Sequence, residues 1–192
     1  MMFKTEFLKK YYNKQIEYDG VALYQCVDYV KKYLFDCYEI RPGSWGNAKD
    51  YFLQFDNPNW IGYKVMHKYF EKISGNVPPA LGDIVVWNGT YGHIAISDGD
   101  SCPKWFYVYE QNWNSKKYVQ RNKHFYTDVL GVLRPKFWTI SAEEGLNVRT
   151  QANSNSRVIR TLPYKSYREF IPSNKSWKEL KTGGFCYSKY LD

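Results

Sequence analysis

Cys26 and His93 are the residues of this chain whose types and surroundings suit covalent chemistry. A nucleophilic cysteine needs thiolate character, and a helix N-terminus favours it through unpaired backbone N–H groups and the positive end of the macrodipole. In QCVDYVKKYLF the spacing of Val27, Val30 and Leu34 predicts a helix that begins at Cys26. A histidine must then take the thiol proton. His93 lies in YGHIAIS, where a glycine-bearing turn feeds a strand able to hold its ring. A third group should orient that ring, and Glu110 or Asn112, at the end of WFYVYEQNW, can accept from its other nitrogen and fix the tautomer. Strand alternation puts residues 110 and 112 on one face. As bare residue types, a free cysteine is equally a small buried hydrophobe and a strand histidine equally a structural one.

Immediately before Cys26 the chain carries a second candidate constellation. Counted from Glu17, the acids Glu17, Asp19 and Asp28 occupy positions 1, 3 and 12 of an EF-hand-like loop running into a helix, with Val21 and Leu23 placed to offer backbone carbonyls. Hard oxygen ligands at this spacing suit Ca²⁺, and an ion there would brace the loop that presents Cys26. The pattern departs from the full motif, because Ala22 stands where the loop glycine belongs and Gly20 falls two residues earlier. The alternative is a solvated acidic loop in which Asp28 favours a helix N-terminus. No organic cofactor is expected. His67 reads as packing, His124 as a surface or loop residue, and Cys37, Cys102 and Cys186 as inert thiols without ligand or disulfide spacing.

The elements that must position these groups fall in three stretches. The N-terminal MMFKTEFLKKYYNK predicts an amphipathic helix with Phe7, Leu8, Tyr11 and Tyr12 at helical spacing, and WGNAKDYFLQF and GYKVMHKYFEKI read as shorter helices or loops. From Pro78 the texture changes to GDIVVW, GHIAIS, KWFYVYEQN and DVLGVLRP, short β-branched and aromatic runs between turn signals. Helices followed by an antiparallel sheet are therefore expected for residues 1–138. After Arg134-Pro135 a further series of short strands occupies 139–192. The formal charge of +8 is shared: residues 139–192 hold nine Lys/Arg against five Asp/Glu, 9 − 5 = +4, and the rest carry the other +4. Such a charge favours a polyanion, which includes anionic wall polymers, membrane surfaces and nucleic acid. No apolar run is long enough for a signal peptide or membrane anchor, and the scattered cysteines suit synthesis in a reducing cytoplasm.

Taken in order, DGVALYQCVDYV, WGNAKD, GDIVVW, GHIAI, EQNW and RPKF resemble the CHAP family, the cysteine- and histidine-dependent amidohydrolases and peptidases of phage endolysins and bacterial autolysins. The resemblance spans about residues 5–137 and implies an α+β papain-like fold. It implies Cys26 as nucleophile, His93 as base, and Glu110 and Asn112 as third and fourth members, with the Cys26 N–H and Gln25 stabilising the oxyanion. Some family members are similar in binding calcium just before the nucleophile. Residues 139–192, with GLNVRT, SRVIRTLP, SWKEL and GGFCYSKYLD, resemble the bacterial SH3-like wall-binding module, a small all-β barrel. The matching residues are Asn147, Arg149, Trp177, Phe185, Tyr190 and Leu191, Phe185 replacing the usual tryptophan. The two resemblances together imply a monomeric, phage-type endolysin that cleaves an amide of peptidoglycan, either muramoyl-L-alanine or a stem or cross-bridge peptide bond. Made in the host cytoplasm, it would reach the wall after holin-type release. A catalytically silent wall-binding protein and an amidase for a small amide are the alternatives, and nucleic acid is not an expected partner.

Overall fold

The computed structural model describes residues 2–170 and 176–192, which form two compact units, Met1–Pro135 and Lys136–Asp192. The division falls three residues before the expected one, since Phe137 already belongs to a strand of the second unit.

In the first unit, helix α1 (Lys4–Tyr11) buries Phe7, Leu8 and Tyr11, while Tyr12 lies beyond its end and is exposed. Helix α2 (Cys26–Tyr38) starts abruptly because Gln25 is extended and its N–H donates to the Asp28 carboxylate at 2.7 Å. It ends at Glu39, whose φ of 58° turns its N–H back to the Phe35 carbonyl. Tyr29, Val30, Tyr33, Leu34 and Cys37 recur on its buried face. Two short helices follow, α3 (Asp50–Leu53) and α4 (Tyr63–Tyr69). His67 packs against Phe55 and Tyr63, with ring centroids 4.4 Å away in each case.

Six strands make one antiparallel sheet: β1 (Phe70–Ser74), β2 (Ile84–Trp87), β3 (His93–Ser101), β4 (Phe106–Glu110), β5 (Gln120–His124) and β6 (Val129–Pro135), in the order β1-β6-β2-β3-β4-β5. Helix α2 packs on β3. Alternation along β2 and β3 sends Ile84, Val86, Ile94 and Ile96 into the helix-side core, and Val85, Trp87 and Ala95 into a second cluster with Phe106, Val108 and Val132. Two strands depart from expectation. KYFEKI was to continue a helix or loop, but Phe70–Ser74 pairs with β6 from Phe70↔Pro135 to Ser74↔Gly131. That close pairing requires Gly131, at φ 148°, because a Cβ there would run into the Ile73 carbonyl. The polar QRNKH forms the sheet edge as β5, where charged side chains guard unpaired backbone. At the other end of β6, Arg134 grips the fully buried Asp83 at 2.6 Å, and Ala80 N–H donates to the same carboxylate. Breaking a buried pair of this kind costs about 3–5 kcal/mol.

Among the described residues the second unit has six short strands: β7 (Phe137–Thr139), β8 (Leu146–Arg149), β9 (Val158–Leu162), β10 (Tyr167–Glu169), β11 (Trp177–Glu179) and β12 (Phe185–Tyr187). They form a four-stranded sheet, β11-β12-β8-β9, and a ribbon of β10 with β7. Single bridges at Ile140–Leu191 and Phe170–Leu180 lie outside these ladders. Among the described residues the ladders form no closed barrel; ribbon and sheet are linked by the Phe170–Leu180 bridge and by the Lys181 N–H donating to the Glu169 carbonyl. The core holds Ile140, Val148, Leu162, Phe170, Leu180 and Cys186, whose thiol burial pushes up to about 11.

Candidate active site

Cys26 is the first residue of α2, buried in the helix-side core. His93 opens β3, directly after Gly92. The GH pair has a steric cause: Gly92 has φ 73°, and a Cβ on it would lie 2.7 Å from the Lys49 nitrogen and 2.8 Å from the Trp87 carbonyl. Lys49 N–H in turn donates to the Tyr91 carbonyl, so the WGNAKD segment clamps the turn that delivers His93.

His93 Nε2 lies 2.7 Å from Glu110 Oε2, and both side chains are almost fully enclosed. Burial pulls the imidazole down, yet hydrogen bonding with the Cys26 thiol and the Glu110 carboxylate outweighs it and raises His93 to about 9. With Nε2 committed to Glu110, Nδ1 is the nitrogen left for the sulfur. Glu110 has further partners on its other oxygen: His124 Nε2 and Asn122 Nδ2, each 2.7 Å from Oε1. Burial pushes this carboxyl up, but hydrogen bonds from His124 and then His93 prevail and hold it at about 2. Trp113 roofs both imidazoles, with centroids 4.9 Å from His93 and 4.8 Å from His124.

The triplet Glu110-Gln111-Asn112 works in three directions. Strand β4 ends at Glu110, and Asn112 has φ 61°, so the alternation that would put 110 and 112 on one face stops between them. Gln111, fully buried, accepts from Ile16 N–H at 2.7 Å and donates to the Ile16 and Gln25 carbonyls. Asn112 donates to Gln25 Oε1 at 2.8 Å rather than meeting His93. The Gln25 amide nitrogen donates to the Ala22 and Leu23 carbonyls, so this side chain braces the loop before Cys26. Such an arrangement can do acyl transfer: a sulfur at a helix start, an imidazole with one nitrogen fixed, and a carboxylate fixing it.

The CHAP domain family matches residues 16–112, about half of the chain and the stretch that contains Cys26, His93 and Glu110. The chain belongs to the CHAP family. It is 29% identical over 163 residues to endolysin PlyTW of Staphylococcus phage Twort, covering 79% of this chain and 33% of that protein. It is 31% identical over 117 residues to endolysin LysK of Staphylococcus phage K, covering 58% and 22%. This CHAP chain thus spans a third or less of the length of those relatives. In fold it is similar to the crystal structure of wild-type endolysin LysIME-EF1, with a TM-score of 0.55 at 21% identity over 91% of this chain and 76% of that one. The crystal structure of Ly7917 gives 0.51 at 14% identity over 100% and 97%.

Two further features flank the CHAP site. On the Cys26 side, one oxygen each from Glu17, Asp19 and Asp28 come within 4.8 Å of one another. Lys31 pairs with Asp19 and holds it below the usual carboxylate range. Asp28 is pushed above that range by burial and then by Glu17 and Asp19, against the pull of the Gln25 amide. Glu17 accepts from the Asp19, Gly20 and Tyr24 amides, which folds the loop around the acids. Val21 and Leu23 are exposed, and the Leu23 carbonyl accepts from Gln25. Three clustered carboxylates, of which Asp19 alone pairs with Lys31, are a donor set that suits a hard divalent cation. On the His93 side lies a groove of about 630 Å³, bordered by His93, Trp113 and His124 and rimmed by Tyr91 and Phe125, which are 70% and 62% exposed.

His124 and Gln111 are the residues that sequence reasoning missed. The signal for His124 is the alternation Gln120, Asn122, His124 against the exposed Arg121 and Lys123, faint because every residue of β5 is polar.

Proposed function

We propose that this CHAP protein is a phage-type endolysin that hydrolyses an amide of bacterial peptidoglycan with Cys26 as nucleophile. The observation that carries the reading is the enclosed His93–Glu110 pair, with Cys26 at the helix start acting on the same imidazole, in a family whose similar proteins are phage endolysins. With its proton already taken up by His93 Nδ1, the Cys26 sulfur attacks the amide carbonyl, forming a C–S bond. The first-turn N–H of Cys26, which a helix leaves without an internal acceptor, serves the oxyanion, with Gln25 holding that turn in place. His93 then protonates the departing nitrogen as the C–N bond breaks. Water, losing its proton to His93, adds to the thioester and releases the carboxylate and the free thiol. Because His93 meets the amine, the groove beside it is where we place the amine half of the substrate. Asn112 acts through Gln25, as a brace rather than a fourth member at the imidazole.

Glu17, Asp19 and Asp28 would hold Ca²⁺, with Val21 and Leu23 offering carbonyls. The ion would supply positive charge that stiffens the loop before Cys26. The second unit is a wall-binding module of SH3-like type. Its groove of about 880 Å³ between Trp177, Tyr187, Tyr190, Asn147 and Arg149, with Glu143 and Glu144 at its side, suits a peptide or glycan. Leu191 belongs to the core of that unit, and Phe185 opens β12 half-buried. The protein acts as a monomer on the wall and its anionic polymers, reaching it by holin-type release. Among the described residues no helix is long and apolar enough to cross a membrane.

Mass spectrometry of fragments released from purified Gram-positive walls tests this reading. The expected products carry a new amine terminus and a new carboxylate at one amide. Fragments with only new reducing sugar ends would overturn it.

A further inference from the structure

Glu110 is held by more donors than orienting one histidine requires. Oε2 receives His93, whereas Oε1 receives both His124 Nε2 and Asn122 Nδ2 at 2.7 Å. A carboxylate that keeps its charge has no proton to give, so each ring nitrogen at that distance must be the donor. Both histidines therefore carry hydrogen on Nε2. Two donors on Oε1, arriving from alternate residues of β5, stop the carboxylate from turning about its own axis and aim the lone pairs of Oε2 at His93. The surroundings of His124 reinforce this: it is buried, Trp113 meets it edge-on, Phe106 stacks at 6.1 Å, and the Trp87 centroid is 5.1 Å away. Trp87 and Trp113 touch both imidazoles, so the same aromatic walls keep water from either end of Glu110.

We infer that His124, assisted by Asn122, is a positioning residue for the reaction: it locks the Glu110 carboxylate so that His93 keeps its Nε2–H tautomer and presents Nδ1 to Cys26. This rests on the proposed roles of Cys26 and His93. The relay runs from the sheet edge at β5, through β4 and β3, to the start of α2.

His124→Phe keeps the ring volume and removes the donor, and His124→Gln restores a nitrogen close to the position of Nε2. With purified walls as substrate, His124→Phe is expected to lower kcat about tenfold or more, as for small misplacements of catalytic groups, with KM changed less than twofold. His124→Gln is expected to recover to within about threefold of the parent. In ¹⁵N-detected imidazole spectra recorded above pH 9, where His93 is neutral, it should be a single Nε2–H tautomer in the parent and a mixture in His124→Phe. Asn122→Ala, at a partly exposed position, should move kcat in the same direction by a smaller factor, and it carries the test if His124→Phe does not fold. A folded His124→Phe with parental kcat and an unchanged His93 tautomer would overturn the inference, as would a His124→Gln variant no better than His124→Phe. Cys26→Ala run alongside separates the two readings. If it is inactive while His124→Phe is fully active, the positioning role alone fails; if Cys26→Ala is itself active, the nucleophile assignment fails.

Discussion

Two clusters of ionisable groups flank Cys26, and they handle charge in opposite ways. Around Glu110 both carboxylate oxygens have partners from the chain itself, two imidazoles and an amide, walled by Trp87 and Trp113. Around Asp19 and Asp28, oxygens of three carboxylates lie within 4.8 Å of one another, and the Lys31 ammonium pairs with Asp19 among them. The first cluster is complete as it stands, which suits a group whose orientation must survive each turnover. The second is short of positive charge, which suits a loop whose stiffness depends on an added cation. The contrast teaches where rigidity is built in and where it is conditional.

Breaking the closed cluster should have the largest effect. Glu110→Gln removes the charge and places an amide donor against two ring donors, and wall hydrolysis is expected to fall by about two orders of magnitude or more. Rates on purified walls, with circular dichroism to check the fold, measure this.

The next effect is on pH. His93 is raised from an ordinary 6.5 to about 9, so its contribution to stability is complete below 6.5 and is lost as pH rises through about 9. Glu110 is lowered from 4.5 to about 2, so its contribution is present above 4.5 and is lost as pH falls through about 2. Chemical denaturation across pH should therefore show a stability shoulder from about 4.5 to 6.5 that declines toward 9, and Glu110→Gln should flatten it.

The open cluster is expected to respond to cations instead. Saturating Ca²⁺ is expected to stabilise the protein, by about 2.7 kcal/mol at a hundred times the dissociation constant, and Asp19→Asn or Asp28→Asn should abolish the gain. Thermal unfolding with and without chelator reads it. The smallest effect sharpens the contrast: Lys31→Met removes the internal competitor, so calorimetry should show Ca²⁺ binding several-fold tighter, on the order of 1 kcal/mol.

The closed cluster was only half legible in the sequence. Cys26 at a helix start followed from Val27, Val30 and Leu34, and the strands of β2, β3, β4 and β6 from their β-branched runs, because periodicity and burial agree there. Glu110 stood out as an acid ending an aromatic strand. His124 did not, because an edge strand made of Gln, Arg, Asn, Lys and His shows no apolar alternation. Asn112 misled for a local reason, the left-handed turn that takes it off the face of Glu110 and onto Gln25. Phe70–Ser74 was hidden within a helical pattern, since its strand character comes from pairing with β6, some 60 residues away in the chain. The second unit was legible strand by strand but not in closure, which depends on ladders between elements too short to announce their partners.

The central claim is that Cys26 does the chemistry with His93. It is tested most directly by the release of free amino groups from purified Gram-positive walls by the parent protein and by Cys26→Ser at equal concentration. The account predicts steady amine release from the parent and none above background from Cys26→Ser, with unchanged thermal unfolding. Amine release by Cys26→Ser at the parental rate would contradict it.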